Sequence, residues 1–571
     1  MVCCWDLYNL ITHKAMRYDD FYFLSGTAER YGEPYRFYDE TVVSRLIVRS
    51  NNCLNIVPIR FKNLKHMTFC HRYSDYSDLW YKCLPESLTS LTLSRSFNQS
   101  IGPSTLPCGL TRLKFGNCFN CPLEQGSLPD TLIKLKFGDA FNQPLNPEIL
   151  PDSLTSLRFG KEYNHPIKVF PPSLKKLAFG SKFNQTINML PNGLTIFKMG
   201  QYNYPLDGIL PISLTRLNIT SNQELPINLP YLSKLNYIGP LFNNLYPSLT
   251  DLTINTNINK HIKFPQTLKK LTFSDLFNSP LVGLDNLLPD SLTELYFGKQ
   301  YNQPLPYKLP SSLKILTFGP HFNQPLPDQL PETLLSLKFA PGSMTLSGGF
   351  NHPLPTVLPS GLTELRFGKE YTHQLNNLPE SLLILDYGTG YNFPIQSLPK
   401  NLTDLKFGWY FDQSLTDFLP RNLTNLTFGG NFNQPLKKGD LPDGLESLRF
   451  GYHFNQPVLP NNNSILPNNI SILPNNISIL PKHLSCLHFG YDFNQKVDFN
   501  ASTPYLKKLD FGLSTHFNQD LDLALPQSIV QLNLHRYYDM TKVRRLIQKN
   551  QFELLKPLHW GDAMILLKYT K

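Results

Sequence analysis

One phrase of about twenty residues recurs along most of this chain, and that repetition limits the possible folds more than any other feature. Residues 128–145 read LPDTLIKLKFGDAFNQPL, residues 150–167 read LPDSLTSLRFGKEYNHPI, and residues 309–326 read LPSSLKILTFGPHFNQPL. Successive copies are mostly about 20–22 residues apart, which is too short for separate globular domains and is typical of a solenoid with one strand per turn. The sequence therefore predicts a mainly β repeat solenoid.

The centre of each copy has the pattern of a short, half-buried strand. Leu135 and Phe137 alternate with Lys134 and Lys136, and a period of two places successive side chains on opposite faces of a strand. Gly138 follows, and glycine permits a sharp bend where a side chain would intrude. Each copy thus predicts a strand that ends at a glycine.

The FNQP word after the strand predicts a second apolar layer and a turn. Phe141 supplies the apolar side chain, and we expect Asn142 to point inward, where it would bond unpaired backbone groups and form a ladder with equivalent asparagines. Pro144 carries the chain back, and Pro151 prevents strand pairing where the chain re-enters the next copy. One turn cannot bury so many apolar side chains, so neighbouring turns must share a core.

A family resemblance rests on these residues. FNQPL occurs verbatim at Phe141–Leu145, Phe322–Leu326 and Phe432–Leu436, with FNQP at Phe454–Pro457. The pattern L-x-x-L-x-F-G-x-x-F-N-Q-P-L resembles the FNIP repeat, a relative of the leucine-rich repeat, over roughly residues 80–535. The resemblance implies a leucine-rich-repeat-like solenoid of stacked parallel strands. Such repeats abound in social amoebae and in giant viruses that infect amoebae, and family members look like interaction proteins.

The predicted organisation has three segments. Residues 1–40 are expected to be an N-terminal cap or the remnant of an eroded F-box, with VCCWDLYNLI as one short helix. Residues 41–535 form the solenoid of about 23 turns, with inserts near residues 340–349 and 458–481. Residues 536–571 are expected to form a C-terminal helical cap. Caps at the ends would cover the exposed strand edges of the array.

Two local predictions concern the less regular parts of the chain. Residues Thr541–Leu555 have helical spacing, and Thr541 is placed to cap the start of that helix. Between Asn218 and Asn259 the repeats shorten and lose the FNQP word, so we expect a kink or a weakened strand ladder there.

The candidate binding site is the face of the strands opposite the core. Side chains that flank the central leucine point away from the core onto the concave sheet, and in the earlier half many are basic. Such a stripe attracts an acidic protein segment over a long range, although a charged face also serves solubility alone. Few exposed aromatic side chains interleave with the charges, which disfavours nucleic acid. The predicted partner-binding residues are Arg112, Lys114, Lys134, Lys136, Arg158, Lys176, Lys198 and Arg216.

Other candidate sites are weaker. Cys118 and Cys121 have a spacing that suits zinc, but Cys121 occupies the Gln position of FNQP, and no second pair of ligands completes a site. The histidines form no metal-binding or acid–base pattern, and there is no phosphate-binding glycine motif or GxSxG elbow. A repeat array also offers an extended surface rather than a deep pocket. We therefore expect no catalytic residues, no metal and no cofactor.

The composition and the resemblance together lead to a functional hypothesis. The chain has 571 residues, of which 41% are apolar, a composition too hydrophobic for a disordered protein. Its nine scattered cysteines, its lack of a signal peptide and its lack of a membrane span favour the cytoplasm, or the host cytoplasm if the source is viral. The hypothesis is a non-enzymatic scaffold that binds a protein partner on the concave strand face. The alternative is a substrate-recognition adaptor of a ubiquitin ligase, which would use the F-box remnant.

Overall fold

The computed structural model shows a stack of short parallel strands, and strand after strand carries a leucine at its buried centre. The structure describes residues 22–24, 44–48, 63–69, 84–221, 223–226, 228–239, 245–255, 262–281, 288–340, 349–415, 418–458, 479–497, 499, 503–512, 514–521, 525–535, 537–550, 552–554 and 564–569. The chain divides into two compact units, an N-terminal unit within residues 3–268 and a C-terminal unit within residues 269–571.

The N-terminal unit is built from parallel strands, and each strand from β1 to β11 pairs with the strand that follows it in the chain. Its described strands are β1 Tyr22–Leu24, β2 Arg45–Val48, β3 His66–Phe69, β4 Ser90–Thr92, β5 Arg112–Lys114, β6 Lys134–Lys136, β7 Ser156–Arg158, β8 Lys176–Ala178, β9 Ile196–Tyr202, β10 Arg216–Ser221, β11 Lys234–Ile238 and β12 Asp251–Ile254.

The C-terminal unit continues the same parallel pattern and ends with one helix and two antiparallel strands. Its described elements are β13 Lys270–Phe273, β14 Glu294–Tyr296, β15 Ile315–Phe318, β16 Ser336–Phe339, β17 Glu364–Arg366, β18 Ile384–Asp386, β19 Asp404–Lys406, β20 Asn425–Thr427, β21 Ser447–Arg449, β22 Cys486–His488, β23 Lys508–Phe511, β24 Gln531–His535, α1 Met540–Asn550, β25 Phe552–Leu554 and β26 Met564–Tyr569. The predicted parallel-strand solenoid is confirmed.

The strands pair in a constant register, so equivalent residues of successive turns stand side by side. Leu113, Leu135, Leu157 and Leu177 are direct partners across β5 to β8. Each of them is almost fully buried. A one-residue slip would turn such a leucine to solvent, and its burial therefore fixes the register.

The core of each turn is completed by two stacked columns of aromatic rings. The Phe137 ring lies 5.3 Å from the Phe115 ring on one side and 5.3 Å from the Phe159 ring on the other, measured between ring centroids. In the second column, the centroids of Phe141 and Tyr163 are 5.9 Å apart. Such near-parallel contacts add to the burial of apolar surface, and each turn supplies half of the interface for its neighbours.

The glycine at the end of the strand is required by a close approach of two backbones. A Cβ atom on Gly138 would overlap the carbonyl group of Gly116 in the preceding turn, and one on Gly160 would overlap the carbonyl of Gly138. The contact is with backbone rather than with a flexible side chain, so a substitution at Gly138 would have to displace the neighbouring turn. The predicted role of this glycine is thus explained by packing between turns.

The asparagines of the FNQP word form hydrogen-bonded ladders, but these lie at the surface and not in the interior as we expected. The Asn142 backbone N–H donates to Oδ1 of Asn120 at 2.8 Å, and the Asn164 N–H donates to Oδ1 of Asn142 at 3.0 Å. Gln143 Nε2 donates to the same Asn120 oxygen at 3.2 Å. Asn142 and Asn164 are exposed. The interior is already filled by phenylalanine, which leaves the amides to align the outer edge of each turn.

We expected a kink or a weakened strand ladder between Asn218 and Asn259, and in the described part of that region the number of paired positions is not reduced. Strands β10 and β11 share five paired positions, compared with three between β5 and β6. The strand-ending glycine is absent from β10, where β-branched Ile219 and Thr220 extend the strand instead. The irregularity takes another form, a shift of register between β9 and β10 near Asn218.

The C-terminal end differs from the predicted helix in its start and its length. Asp539 caps α1, because its Oδ1 accepts hydrogen bonds from the N–H and the hydroxyl of Thr541, at 2.8 and 2.7 Å. Thr541 itself lies inside the helix, which ends at Asn550. Strands β25 and β26 follow, and β26 pairs antiparallel with β24. The last parallel strand of the unit thereby gains a partner on its outer edge.

Several predicted features lie outside the described residues. These include the segment 2–11, taken above as a capping helix or an F-box remnant, and most of the inserts at 340–349 and 458–481. The three-segment organisation and the ubiquitin-ligase alternative therefore remain predictions from the sequence.

We expect replacement of Asn142 by alanine to lower the free energy of unfolding by about 1 kcal/mol, because the N–H of Asn164 loses its acceptor. Asp412 occupies the equivalent position in another turn and accepts from the Asn433 N–H at 3.0 Å. Asn142→Asp should therefore retain most of the stability. Urea denaturation and amide hydrogen exchange at Asn164 measure the two effects. Equal losses in the two variants would contradict a role for the side-chain oxygen.

Candidate functional site

The constant register arranges the solvent-facing side chains of the strands in two rows. The residue before each central leucine forms the upstream row, and the residue after it forms the downstream row. In β6 these residues are Lys134 and Lys136, on either side of the buried Leu135. Neighbouring strands are about 4.8 Å apart, so each row places one side chain about every 4.8 Å.

The eight predicted partner-binding residues all lie in these two rows between β5 and β10, and we call them the basic strand face. The register pairs Arg112 with Lys134, and Lys114 with Lys136, which in turn is opposite Arg158. Seven of the eight are exposed, and Lys136, between two other cations, is half-buried. The structure therefore brings the residues together as one surface. The basic strand face consists of Arg112, Lys134, Lys176 and Arg216 in the upstream row and Lys114, Lys136, Arg158 and Lys198 in the downstream row.

No member of the basic strand face forms an ion pair within the part of the chain that the structure describes. Between β5 and β10 the two rows contain no carboxylate; their other members are Ser156, Ile196, Ala178 and Asn218. The first acidic residue along the rows is Asp251, whose carboxylate is 3.0 Å from Nζ of Lys234. The positive charges of β5 to β10 are thus left without neutralisation by neighbouring turns.

Two pKa shifts report the same positive potential. The pKa of Lys136 is lowered by partial burial and by the nearby charges of Arg158 and Lys114, with Asp139 opposing. The pKa of His66, on β3 two strands before β5, is lowered by burial and by Arg45 and Arg112. Like charges that crowd one another disfavour the protonated state, and a bound anion would relieve this repulsion.

The equivalent rows of the C-terminal unit are different, because acidic and basic side chains alternate and pair. Glu364 lies 2.7 Å from Nζ of Lys338 and 2.6 Å from Nε of Arg366. Asp386 lies 2.8 Å from Nζ of Lys406. Although Asp386 is buried and Glu364 is half-buried, their cationic partners face solvent, so each pair contributes about 1 kcal/mol and neutralises the surface locally. Unpaired basic rows are therefore a particular property of β5 to β10 in the N-terminal unit.

The weaker candidates take ordinary structural positions. Sγ of Cys121 is 3.4 Å from Oδ1 of Asn98, so the thiol replaces glutamine in the asparagine ladder, and Cys118 is an exposed free thiol. Nε2 of His165 and Nε2 of His373 contact the asparagine carbonyl of the preceding turn at 3.0 and 2.9 Å, again in the glutamine position. Among the residues that the structure describes, no three metal-ligating side chains are grouped to hold a metal ion.

Within the described ranges, the structure has no helix whose length and hydrophobicity would suit a membrane crossing.

The sequence located the basic residues, but it did not show which charges are paired. The pairs join residues on neighbouring strands, such as Lys338 and Glu364, and only the register shows that they meet. Opposite charges separated by one repeat length are the signal that would reveal them. The sequence also gave no weight to Cys486 and His488, two residues apart on β22, or to Asp510 one turn later, which are considered separately below.

Comparison with protein-family models gives one family. The model described as FNIP Repeat matches this chain in eleven segments, which together cover more than half of it. The matched residues are 81–118, 97–140, 119–162, 141–182, 163–201, 259–300, 277–308, 301–340, 350–389, 391–431 and 432–477.

Comparison with solved structures gives similar folds. The chain is similar to CroV588 of the giant virus CroV, whose structure is described as a novel circular LRR protein, with 31% identity and a TM-score of 0.62. That similarity covers 86% of this chain and 82% of CroV588. YopM from Yersinia enterocolitica WA-314 matches with 22% identity and a TM-score of 0.43, over 72% of this chain and 87% of YopM. No curated protein matches.

Replacing Glu364 by glutamine should lower the free energy of unfolding by about 1 kcal/mol at pH 7. Burial alone would raise the pKa of Glu364, but hydrogen bonds from Lys338, Arg366 and Ser336 lower it in the folded protein. A carboxyl group whose pKa is lowered by folding stabilises the fold at pH values above its unfolded pKa of about 4.3. This contribution is lost as the pH falls through the folded pKa. The difference between variant and parent in urea denaturation should therefore shrink on acidification.

The matched control is Glu446→Gln, because Glu446 is exposed and forms no ion pair within the described chain. An equal, pH-independent loss in the two variants would contradict the pairing of Glu364.

Proposed function

Because this chain belongs to the FNIP-repeat family, we propose that it is a non-enzymatic interaction scaffold whose basic strand face binds an acidic segment of a partner protein. In this chain the buried leucine and phenylalanine recur from turn to turn, whereas the strand-face residues beside them differ. The observation that carries the proposal is the set of eight cations from β5 to β10 whose two rows contain no carboxylate and which form no ion pair with the described residues.

The dimensions of the basic strand face set the size of the bound segment. Strands β5 to β10 are separated by five steps of about 4.8 Å, so the face is about 24 Å long. An extended chain rises about 3.3 Å per residue, and about seven residues would therefore span the face. The two rows lie on either side of one leucine position, so they form a narrow track suited to a single strand that crosses the sheet.

The composition of the rows favours a protein partner over a nucleic acid. Between β5 and β10 the rows contain lysine, arginine, serine, isoleucine, alanine and asparagine, and they contain no aromatic side chain. Proteins that hold single-stranded nucleic acid combine positive charge with aromatic rings that stack on the bases. A track of charges alone instead suits aspartate and glutamate side chains, which reach cations from an extended backbone.

The electrostatics favour binding that is fast and sensitive to salt. Unpaired charges of one sign attract an acidic partner before contact and raise the association rate. Added salt screens such attraction, because the Debye length is about 8 Å at physiological ionic strength. The affinity should come mainly from the removal of repulsion among neighbours such as Lys114, Lys136 and Arg158.

We place this function in a reducing compartment, the cytoplasm, or the host cytoplasm if the source is viral. In support, all four cysteines that the structure describes are free thiols, and two of them, Cys108 and Cys118, are exposed. Secreted proteins usually oxidise such thiols.

Neutralising Lys114, Lys136 and Arg158 together as glutamines should weaken binding of a labelled peptide of about ten glutamates by at least about tenfold, since each exposed ion pair contributes up to about 1 kcal/mol. Fluorescence anisotropy with the full chain at several salt concentrations measures the affinity. The salt dependence should become shallower in the variant, because fewer charges take part.

The matched control replaces Lys168, Lys263 and Lys308 by glutamine. These three lysines are exposed, lie outside the strands and form no ion pair with described residues, so the net charge changes equally. If both triple variants weaken binding equally, net charge alone explains the effect, and the basic strand face is not the binding site. Tighter binding of a single-stranded oligonucleotide of equal charge, at the same salt concentration, would refute a protein partner.

A further inference from the structure

Three side chains on the sheet surface of the C-terminal unit form a linked Cys–His–Asp series. Cys486 and His488 lie two residues apart on β22 and share one face, on either side of the buried Leu487. Sγ of Cys486 is 3.1 Å from Nε2 of His488, and Nδ1 of His488 is 3.2 Å from Oδ2 of Asp510. Asp510 is the direct partner of His488 on β23. The imidazole thus bridges a thiol and a carboxylate.

A second set of hydrogen bonds fixes the carboxylate. The Gly512 N–H donates to Oδ1 of Asp510, and Nδ2 of Asn533 donates to Oδ2, both at 2.8 Å. Asn533 is oriented in turn by Gln531, whose Nε2 donates a hydrogen bond to Oδ1 of Asn533 at 2.9 Å. Supporting bonds of this kind orient an acid–base series, because they leave the carboxylate one direction in which to accept from the imidazole.

The charged groups around Cys486 favour its thiolate form. Lys508 is opposite Cys486 on β23, and Arg449 is opposite His488 on β21. Burial alone would raise the pKa of Cys486, but the hydrogen bond and charge of His488 and the charge of Lys508 lower it, with Asp510 opposing. Burial alone would lower the pKa of His488, but Asp510 and Cys486 raise it. Burial opposes ionisation of Asp510 as well, yet its hydrogen bonds lower its pKa to about 2.

We propose that Cys486 is a reactive cysteine that exchanges with small disulfides carrying carboxylate groups, and that this exchange reversibly modifies the sheet surface of the C-terminal unit. His488 holds the thiol in its nucleophilic state and supplies a proton, Asp510 positions the imidazole, and Lys508 and Arg449 attract the carboxylates. Cys486 is half-buried and remains open on the solvent side of the sheet. This site is separate from the basic strand face, and neither proposal depends on the other.

The exchange is balanced without any further reagent. The Cys486 thiolate attacks one sulfur of the small disulfide, a bond forms between Sγ and that sulfur, and the original S–S bond breaks. The electron pair leaves with the second sulfur, which takes the proton from Nε2 of His488. Cys486 is oxidised, one half of the small molecule is reduced, and a thiol in the same compartment reverses the reaction.

The backbone around β22 favours this exchange over acyl transfer. Acyl transfer needs free N–H groups to hold the developing oxyanion. The N–H groups of Ser485 and Cys486 both donate to the carbonyl of Glu446, at 2.8 and 3.0 Å. Thiol–disulfide exchange develops its charge on sulfur and needs a thiolate, a proton donor and access, which the cluster supplies.

The test treats the reduced full-length protein with glutathione disulfide at pH 6.5 and follows each mixed disulfide by peptide mass mapping. Cys108 and Cys118 are internal controls, because they are more exposed than Cys486 and neither contacts a histidine. Cys486 should react at least about tenfold faster than either, and its rate should rise less steeply with pH than theirs. If Cys486 is no faster than the controls, the proposal fails.

Two variants separate the roles. His488→Asn should lower the rate at Cys486 about tenfold at pH 6.5 and restore it near pH 9, whereas an unchanged pH profile would overturn the role of the imidazole. Lys508→Gln should slow exchange with glutathione disulfide by severalfold more than exchange with uncharged 2-hydroxyethyl disulfide, because loss of the Lys508 charge disfavours the thiolate for both reagents but removes attraction only for the carboxylates. Equal slowing with both disulfides would overturn the preference for carboxylates. The comparison of the three cysteines in the parent protein decides the central claim even if a variant folds poorly.

Discussion

The contact between one turn and the next is the interaction on which this structure depends. Phe137 packs between Phe115 and Phe159, and Leu135 packs between Leu113 and Leu157. The core around each turn is therefore completed by its two neighbours. Burial of one such side chain contributes about 1.5–3 kcal/mol, and that gain exists only when both neighbours are present. Stability is therefore a local property that each turn shares with two others. The backbone contact at Gly138 is a further result of the same close stacking.

A fixed register also turns a one-dimensional sequence into ordered surface rows. Residues beside the central leucine contribute little to the core, and their identity can change from turn to turn. In the N-terminal unit these positions accumulate cations between β5 and β10. In the C-terminal unit, ion pairs such as those of Glu364 occupy the same positions, and so does the Cys486–His488–Asp510 series. One frame thus presents several chemically different surfaces, and the differences lie in residues that the fold does not constrain.

The sequence predicted well the features that depend on a single turn. The period of two predicted the strand at Leu135, and the glycine predicted the bend at Gly138. The recurring repeat predicted the parallel array. Features that depend on two turns were harder to predict. The asparagine ladder lies at the surface because phenylalanine already fills the interior, and the ion pair of Lys338 with Glu364 is visible only when the register is known. At α1, Asp539 and Thr541 both suit a helix start, and only the hydrogen bonds decide between them. The basic strand face was predicted residue by residue, whereas the absence of ion pairs with the described residues needed the structure.

The asparagine ladder also separates the alignment of turns from their length. Bonded asparagines are 19 residues apart at Asn184 and Asn203, but 39 residues apart at Asn455 and Asn494, with donor–acceptor distances of 3.1 and 3.0 Å. Codons gained or lost between two such positions leave the hydrogen bond intact, because the bond requires only that the two asparagines lie side by side in neighbouring turns. Slippage during replication, which readily expands repetitive DNA, would then alter the outer loops and spare the frame. The segments between bonded asparagines are therefore the places where this fold accommodates changes of length.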